Sequence, residues 1–136
     1  HLCPNPSSFN SWAKPLGGFI KINFDGSKST SSMAGDFIIR SWGGRFLQAG
    51  TTNLGVASIL TAEATTMRNG VQIVVQIGYH LIVVEGDNQV LIQSLRREVQ
   101  VPLEIQTLVE YTKIYLNSCN QVYIQHIFRE GNRASD

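Results

Sequence analysis

The clearest single signal in the chain is KINFDGS, residues 21–27. Apolar Ile22 and Phe24 alternate with polar side chains that end in Asp25, and this spacing of two predicts a half-buried β-strand. The strand is expected to end at Asp25 because an Asp-Gly pair is typical of a turn. One interpretation of Asp25 is therefore a turn residue whose carboxylate binds the nearby backbone. The other is a functional carboxylate presented where a strand ends.

Composition limits the classes of protein that the chain can represent. Its 136 residues suffice for one domain with a hydrophobic core. The net charge of +1 disfavours tight non-specific binding to nucleic acid, which draws mainly on phosphate neutralisation, although it is compatible with a local basic patch. The two cysteines, Cys3 and Cys119, lack a metal-binding spacing and are expected to be free thiols. No apolar run approaches the roughly 20 residues of a membrane span and no signal peptide is visible, so we expect an intracellular protein, nuclear or cytoplasmic and not secreted, without membrane contact.

The chain divides into a linker and one domain. Residues 1–18 contain all but one of the four prolines, together with Ser, Asn and Gly, and are expected to form an N-terminal linker. Residues 19–136 are expected to form the domain. Because the chain begins with His1 and stops at Asp136, directly after GNRAS, we expect a piece of a longer protein whose domain is incomplete at its C-terminal end.

The periodicity changes from two to about 3.6 near residue 58, which separates strands from helices. Strands are predicted at residues 19–25, 36–42, 45–54, 81–87 and 121–128, and helices at residues 58–78, 88–97 and 102–117. Gly43-Gly44 is expected to connect the second and third strands as a hairpin, and REGNRASD is expected to lead into a final helix. This order predicts an α/β fold with an antiparallel meander, parallel additions and covering helices.

Glu63 lies where the first predicted helix should face the sheet. Met67, Val71 and Val74 follow it at helical spacing on one apolar stripe. A lone carboxylate on that stripe loses hydration at considerable cost, which favours a functional role. The alternative is a residue near the helix start, at the edge of the stripe, where the helix dipole favours an acid.

Asp87 closes LIVVEGD, residues 81–87, an apolar run typical of a strand buried on both faces. It can also be the N-cap of the helix that follows. Asp25, Glu63 and Asp87 thus come from three separate elements, at the end of the first strand, near the start of the first helix and at the end of the buried strand. Carboxylates that are brought together repel one another unless they are protonated or neutralised by cations. Oxygen-rich clusters suit Mg²⁺ or Mn²⁺, and two such ions can promote phosphodiester hydrolysis. The hypothesis from these residues is a metal-dependent nuclease.

Five segments in order resemble a type 1 ribonuclease H domain: KINFDGS, GDFIIRSWGGRFLQAG, TAEATTMRNGVQ, VVEGDNQVLIQSL and HIFREGNRASD. The resemblance spans residues 12–136 and is strongest to plant ribonuclease H-like domains of retroelement-derived proteins of the non-LTR reverse transcriptase type. It implies a five-stranded mixed sheet of order 3-2-1-4-5 with flanking helices, the last of which is truncated here. It also implies endonucleolytic hydrolysis of the RNA strand of an RNA–DNA hybrid by a two-metal-ion mechanism.

The resemblance also assigns residues to the site. The four metal-binding catalytic acids of the family correspond to Asp25, Glu63, Asp87 and Asp136, which would hold two Mg²⁺ ions, with Mn²⁺ as a substitute. Six positions correspond to substrate contacts: Gly26, Ser27, Ser58, Gln89, Arg129 and Asn132. For Gln89, a solvated helix residue is the alternative. The implied partners are an RNA–DNA hybrid and an upstream reverse transcriptase domain in the same polypeptide, and a monomer is expected.

The chain departs from the bacterial members of this family in three places. Ile59 and Leu60 replace two asparagines that contact the minor groove, and only Arg96-Arg97 stands in for a basic helical handle. A loop that carries a histidine is shortened to REGN, and His126 in the strand before it is expected to be structural or surface-exposed. A non-catalytic nucleic-acid-binding or protein-interaction domain with the same fold is therefore a second hypothesis. Another nuclease on this sheet, such as an exonuclease, is a third.

Overall fold

The computed structural model describes residues 18–28, 33–41, 43–55 and 58–128. The strands in these residues are β1 (Ile20–Lys28), β2 (Met33–Ser41), β3 (Phe46–Gly55), β4 (Leu81–Gly86) and β5 (Gln121–His126). The helices are α1 (Ile59–Ile77), α2 (Gln89–Leu95) and α3 (Gln106–Asn117), with a 3₁₀ turn (Leu103–Ile105) directly before α3. The strands form one sheet in the order β3-β2-β1-β4-β5.

The sheet is mixed. β1, β2 and β3 pair antiparallel, whereas β4 runs parallel to β1 and β5 runs parallel to β4. The parallel pairing of β4 with β5 requires the long crossover through α2 and α3 that connects them, since parallel neighbours cannot be joined by a tight turn. The predicted α/β class and the predicted strand order 3-2-1-4-5 are both confirmed.

The predicted end of the first strand at Asp25 is wrong. β1 continues to Lys28 and remains paired with β2, so that Asp25 lies opposite Asp36 and Gly26 lies opposite Gly35. The Asp-Gly pair is therefore extended strand, because the ladder to β2 supplies its backbone with partners that a turn would otherwise provide. This pairing excludes the interpretation of Asp25 as a turn residue.

Helix α1 begins and ends where the sequence predicts. The side chain of its N-cap, Ser58, accepts a hydrogen bond from the N–H group of Thr61 at 3.0 Å. Gly78 ends the helix with a φ of +112°, a left-handed conformation that glycine adopts without strain. Among the described helices, none has both the length and the apolar character required to cross a bilayer. Residues 1–17 and 129–136 lie outside the described ranges, so the linker and the truncated final helix stay predictions.

The two faces of the central strands differ in chemistry. Ile22, Phe24 and Val84 are buried on the face that packs against the helices, where they meet Met67 and Val71 of α1 in one apolar core. Because side chains alternate along a strand, Asn23 of β1 and Glu85 of β4 lie on the opposite face. The core therefore occupies the space between the sheet and α1.

A polar ladder crosses the opposite face. Glu85 of β4 is 6% exposed, and its carboxylate accepts hydrogen bonds from the side-chain amides of Asn23 at 3.1 Å and Gln125 at 2.9 Å. Lys21 lies 3.6 Å from the same carboxylate. The register explains the ladder, because Asn23 of β1 and Gln125 of β5 both pair with Glu85. Three strands are thereby joined by side chains as well as by backbone.

We expect Glu85→Ala to lower the free energy of unfolding by about 2 kcal/mol, because two half-buried amides lose a charged acceptor. The measurement is urea unfolding at neutral pH. Glu110→Ala is the matched control, since Glu110 is 65% exposed and its ion pair with Lys113, at 3.7 Å, is of the surface type that contributes less than about 0.5 kcal/mol. Equal losses in both variants would show that the ladder adds nothing to stability.

Candidate metal centre

Asp25 and Asp87 are neighbours because β1 and β4 run parallel in register. Phe24 of β1 pairs with Gly86 of β4, and each acid is the next residue in its chain segment. A Cβ atom on Gly86 would lie 2.5 Å from the ring of Phe24, so only glycine allows β4 to lie this close to that side chain. The two carboxylates therefore project from equivalent positions on adjacent strands.

Glu63 reaches the same end of the sheet from α1. The helix approaches β2 closely at Gly35, where a Cβ atom would lie 1.8 Å from the hydroxyl oxygen of Thr66 and 3.0 Å from the carbonyl oxygen of Ala62. Ala62 and Thr66 lie on either side of Glu63 along the helix, and Gly35 is opposite Gly26, the residue after Asp25. The contact at Gly35 thus sets how far Glu63 stands from the sheet.

The three acids form one cluster. Asp25, Glu63 and Asp87 each contribute a carboxylate oxygen, and these oxygens lie within 4.8 Å of one another. Glu63 is 5% exposed and the two aspartates are half-buried, so water screens their mutual repulsion only in part. The donor set consists of carboxylate oxygens alone, which is the chemistry that Mg²⁺ and Mn²⁺ prefer. The residues present fit a divalent cation, which would offset the repulsion.

The structural alternatives for two of these acids are excluded. The N-cap of α2 is Asn88, whose side chain accepts a hydrogen bond from the N–H group of Leu91 at 3.2 Å, so Asp87 does not serve as the cap. Glu63 is buried with Met67 and its neighbours on the apolar stripe rather than lying at its solvent edge. The alternative of an acid at the edge of the stripe near the helix start is therefore excluded for Glu63.

The family described as reverse transcriptase-like matches residues 23–136. The chain belongs to this family. It is also 25% identical, over 127 residues, to a protein of Arabidopsis thaliana with the provisional name ribonuclease H protein; the match covers 92% of this chain and 20% of that relative. The chain thus spans about a fifth of the length of the curated relative it matches.

Solved structures of ribonucleases H share the fold of this reverse transcriptase-like domain. RNase H1 of the halophilic archaeon Halobacterium salinarum superposes with a TM-score of 0.75 at 19% identity, covering 85% of this chain and 89% of that chain. An RNase H1 isolated from compost, solved in complex with an RNA/DNA hybrid, superposes with a TM-score of 0.68 at 18% identity, with the same two coverages. These comparisons confirm the ribonuclease H fold and the resemblance seen in the sequence.

The structure describes the position of some predicted site residues and not of others. Three lie outside the described residues: Arg129, Asn132 and Asp136. Gly26 and Ser27 continue β1 beyond Asp25, and only their backbone is described. Gln89 is the exposed first residue of α2, two positions after Asp87. Contact of these residues with a substrate stays a prediction.

Ser58 has a second neighbour besides the helix that it caps. The carboxylate of Glu104 lies 3.3 Å from the hydroxyl oxygen of Ser58 and 3.5 Å from that of Thr61. A carboxylate at this position repels a phosphate group, so Ser58 can bind phosphate only if Glu104 turns away. The phosphate-binding role of Ser58 stays a prediction, and Glu104 opposes it.

Two residues near the site were not identified as such from the sequence. Glu85 lies two positions before Asp87, and Asn23 lies two positions before Asp25. This equal spacing is the signal in the sequence that could have indicated the contact between Asn23 and Glu85. His126 is half-buried and its ring nitrogen Nε2 lies 3.1 Å from the carbonyl oxygen of Asp87. This contact fits the expected structural role, which stays a prediction, whereas full surface exposure is wrong.

We expect Gly35→Ala to weaken Mn²⁺ binding and to lower the free energy of unfolding by about 1–3 kcal/mol. The added methyl group would meet Thr66 and push α1 away from β2, which would move Glu63 from the two aspartates. Isothermal titration with Mn²⁺ and urea unfolding measure the two effects. Gly43→Ala is the control, because Gly43 is exposed with nothing within 4 Å of its Cβ position. Equal behaviour of the two variants would contradict the close approach at Gly35.

Proposed function

We propose that this domain hydrolyses the RNA strand of RNA–DNA hybrids endonucleolytically, by a two-metal-ion mechanism with Mg²⁺. The observation that carries the proposal is the cluster of Asp25, Glu63 and Asp87, whose carboxylate oxygens lie within 4.8 Å of one another in a ribonuclease H fold. Asp136, from the predicted final helix, would be the fourth acid. Mn²⁺ would substitute for Mg²⁺ because it accepts the same oxygen ligands.

The residues of this chain would perform three tasks in that reaction. The acids would hold the cations, which supply Lewis acidity toward the attacking water and the leaving oxygen when bound. β1 would present its backbone beyond Asp25 to the nucleic acid, where Gly26 leaves room for close approach. Gln89, exposed two residues after Asp87, would contact the hybrid near the acids. Ser27, Ser58, Arg129 and Asn132 complete the proposed substrate contacts.

The choice of substrate and of polypeptide context is supported by the comparisons. One ribonuclease H with the same fold was solved in complex with an RNA/DNA hybrid, which is the substrate proposed here. The family is described as reverse transcriptase-like, and the plant relative is about five times longer than the matched region. We accordingly propose that the domain works beside a reverse transcriptase domain in one polypeptide.

A non-catalytic nucleic-acid-binding or protein-interaction domain is the second candidate, and two observations at the start of α1 favour it. Ile59 is 42% exposed at a position where bacterial relatives place a groove-binding asparagine. Glu104 lies against the hydroxyl group of Ser58, which disfavours a phosphate there. Both features would weaken hybrid binding without altering the acid cluster, so activity and binding must be measured separately.

We expect Asp25→Asn to abolish Mg²⁺-dependent cleavage of a labelled RNA–DNA hybrid, with a loss of roughly a thousandfold or more, about 4 kcal/mol in the barrier. The fold should remain intact or become more stable, because repulsion within the cluster falls. Cleavage is assayed in the full-length protein beside single-stranded and double-stranded RNA, with Mg²⁺, with Mn²⁺ and with a chelator.

Asp36→Asn is the matched control for that experiment. Asp36 pairs directly with Asp25 across β1 and β2, but it is exposed and accepts a hydrogen bond from Thr51 at 2.9 Å. The same chemical change at Asp36 should leave cleavage within about twofold of the wild-type rate, as expected for an exposed position. If the folded wild-type protein does not cut the hybrid under any metal condition, the second candidate replaces the proposed function, and hybrid binding then separates a nucleic-acid-binding domain from a protein-interaction domain.

A further inference from the structure

His126 ends β5 beside the last residue of β4. Gly86 and His126 are paired, and the next backbone N–H group, of Ile127, donates to the carbonyl oxygen of Gly86 at 2.9 Å. The strand pairing ends at this point. At Asp87, the first residue after β4, the carbonyl oxygen lies 3.1 Å from the ring nitrogen Nε2 of His126. The imidazole therefore extends the attachment of β4 to β5 by one peptide group.

This contact defines which ring nitrogen carries a proton. A carbonyl oxygen only accepts hydrogen bonds, so Nε2 of His126 must be protonated and must donate. The ring is half-buried, and Phe128 meets it edge to face, with ring centroids 4.6 Å apart and an angle of 79° between the planes. Nε2 is consequently committed to the backbone of Asp87.

We propose that His126 is a positioning residue for the metal centre and acts on Asp87 through its carbonyl group; this inference rests on the proposed function. Asp87 lies where the chain changes from β4 to the N-cap of α2, Asn88. A hydrogen bond to its carbonyl oxygen restricts the peptide between Asp87 and Asn88, and with it the direction of the carboxylate. Asp25 needs no such support because it lies within β1, paired with β2.

The geometry separates this role from proton transfer. Among the described residues, the acid cluster consists of Asp25, Glu63 and Asp87 and does not include His126. The histidine contacts the backbone of one ligand residue, and the hydrogen bond to Asp87 needs only a donor at that point. Outer hydrogen bonds of this kind orient metal ligands, and their loss typically costs roughly ten- to a hundredfold in metal affinity.

Three substitutions test the proposal in the full-length protein. H126Q keeps an N–H donor at the distance of Nε2, H126M has the same length without a donor, and H126F keeps the ring packing on Phe128 without a donor. H80Q and H80M are the matched controls, because His80 is exposed in the segment between α1 and β4. The dissociation constant for Mn²⁺ is measured by calorimetry, urea unfolding reports the fold, and hybrid cleavage is followed against Mg²⁺ concentration.

We expect H126M and H126F to raise the Mn²⁺ dissociation constant roughly tenfold and to require correspondingly more Mg²⁺ for half-maximal cleavage. H126Q should stay within about threefold of the wild type, because it restores the donor, and the His80 variants should match the wild type. Rescue by H126Q also excludes proton transfer, since an amide does not titrate. H126M and H126Q with equal metal affinity would overturn the proposal, as would an H126M variant that binds Mn²⁺ like the wild type.

A measurement without metal separates this proposal from the proposed function. Nitrogen NMR of the imidazole should show the Nε2–H tautomer in the wild type, and the amide signals of Asp87 and Asn88 should shift in H126M but not in H126Q. The opposite tautomer, or equal shifts in both variants, overturns the positioning role even if Mn²⁺ binds. A wild-type protein that shows the expected signals but binds no Mn²⁺ refutes the proposed function and leaves the contact between His126 and Asp87 intact.

Discussion

The parallel pairing of β1 with β4 is the constraint on which the rest of the site depends. Their register makes Phe24 and Gly86 partners, so the acid that follows each of them emerges at the same level of the sheet. A shift of one residue would turn every side chain of β4 to the other face and would remove Asp87 from Asp25. Ile22, Phe24 and Val84 pack in the apolar core, and the shift is opposed because it would turn the carboxylate of Glu85 into that core.

The same contacts that stabilise the core also bring like charges together. α1 packs on the sheet through Met67 and Val71, and its close approach at Gly35 carries the carboxylate of Glu63 to the two aspartates. The repulsion among three acids opposes folding, and the apolar burial on the helix side of the sheet must exceed it. Packing between the helix and the sheet therefore brings the three carboxylates together, and their oxygens could hold a cation.

Hydrogen bonds between side chains of β1, β4 and β5, and one to the backbone of Asp87, lie beside the cluster of acids. Asn23, Glu85 and Gln125 join the three strands on the face away from α1, and His126 holds the backbone of Asp87 where β4 ends. The sequence contained part of this information, since Asn23 and Glu85 each precede an acid by two residues. That spacing indicates a shared level in the sheet only after the parallel pairing of β1 and β4 is known.

The sequence by itself determined the order of strands and helices, the bounds of α1 near Ser58 and Gly78, and the acids at positions 25, 63 and 87, because periodicity and residue type are local properties. The predicted end of β1 at Asp25 was wrong, since an Asp-Gly pair adopts strand geometry when β2 supplies the hydrogen bonds. Only the tertiary structure decided which residue caps α2, how close Glu63 stands to the aspartates, and what His126 contacts. Those features depend on packing between segments far apart in the chain, for which no local pattern exists.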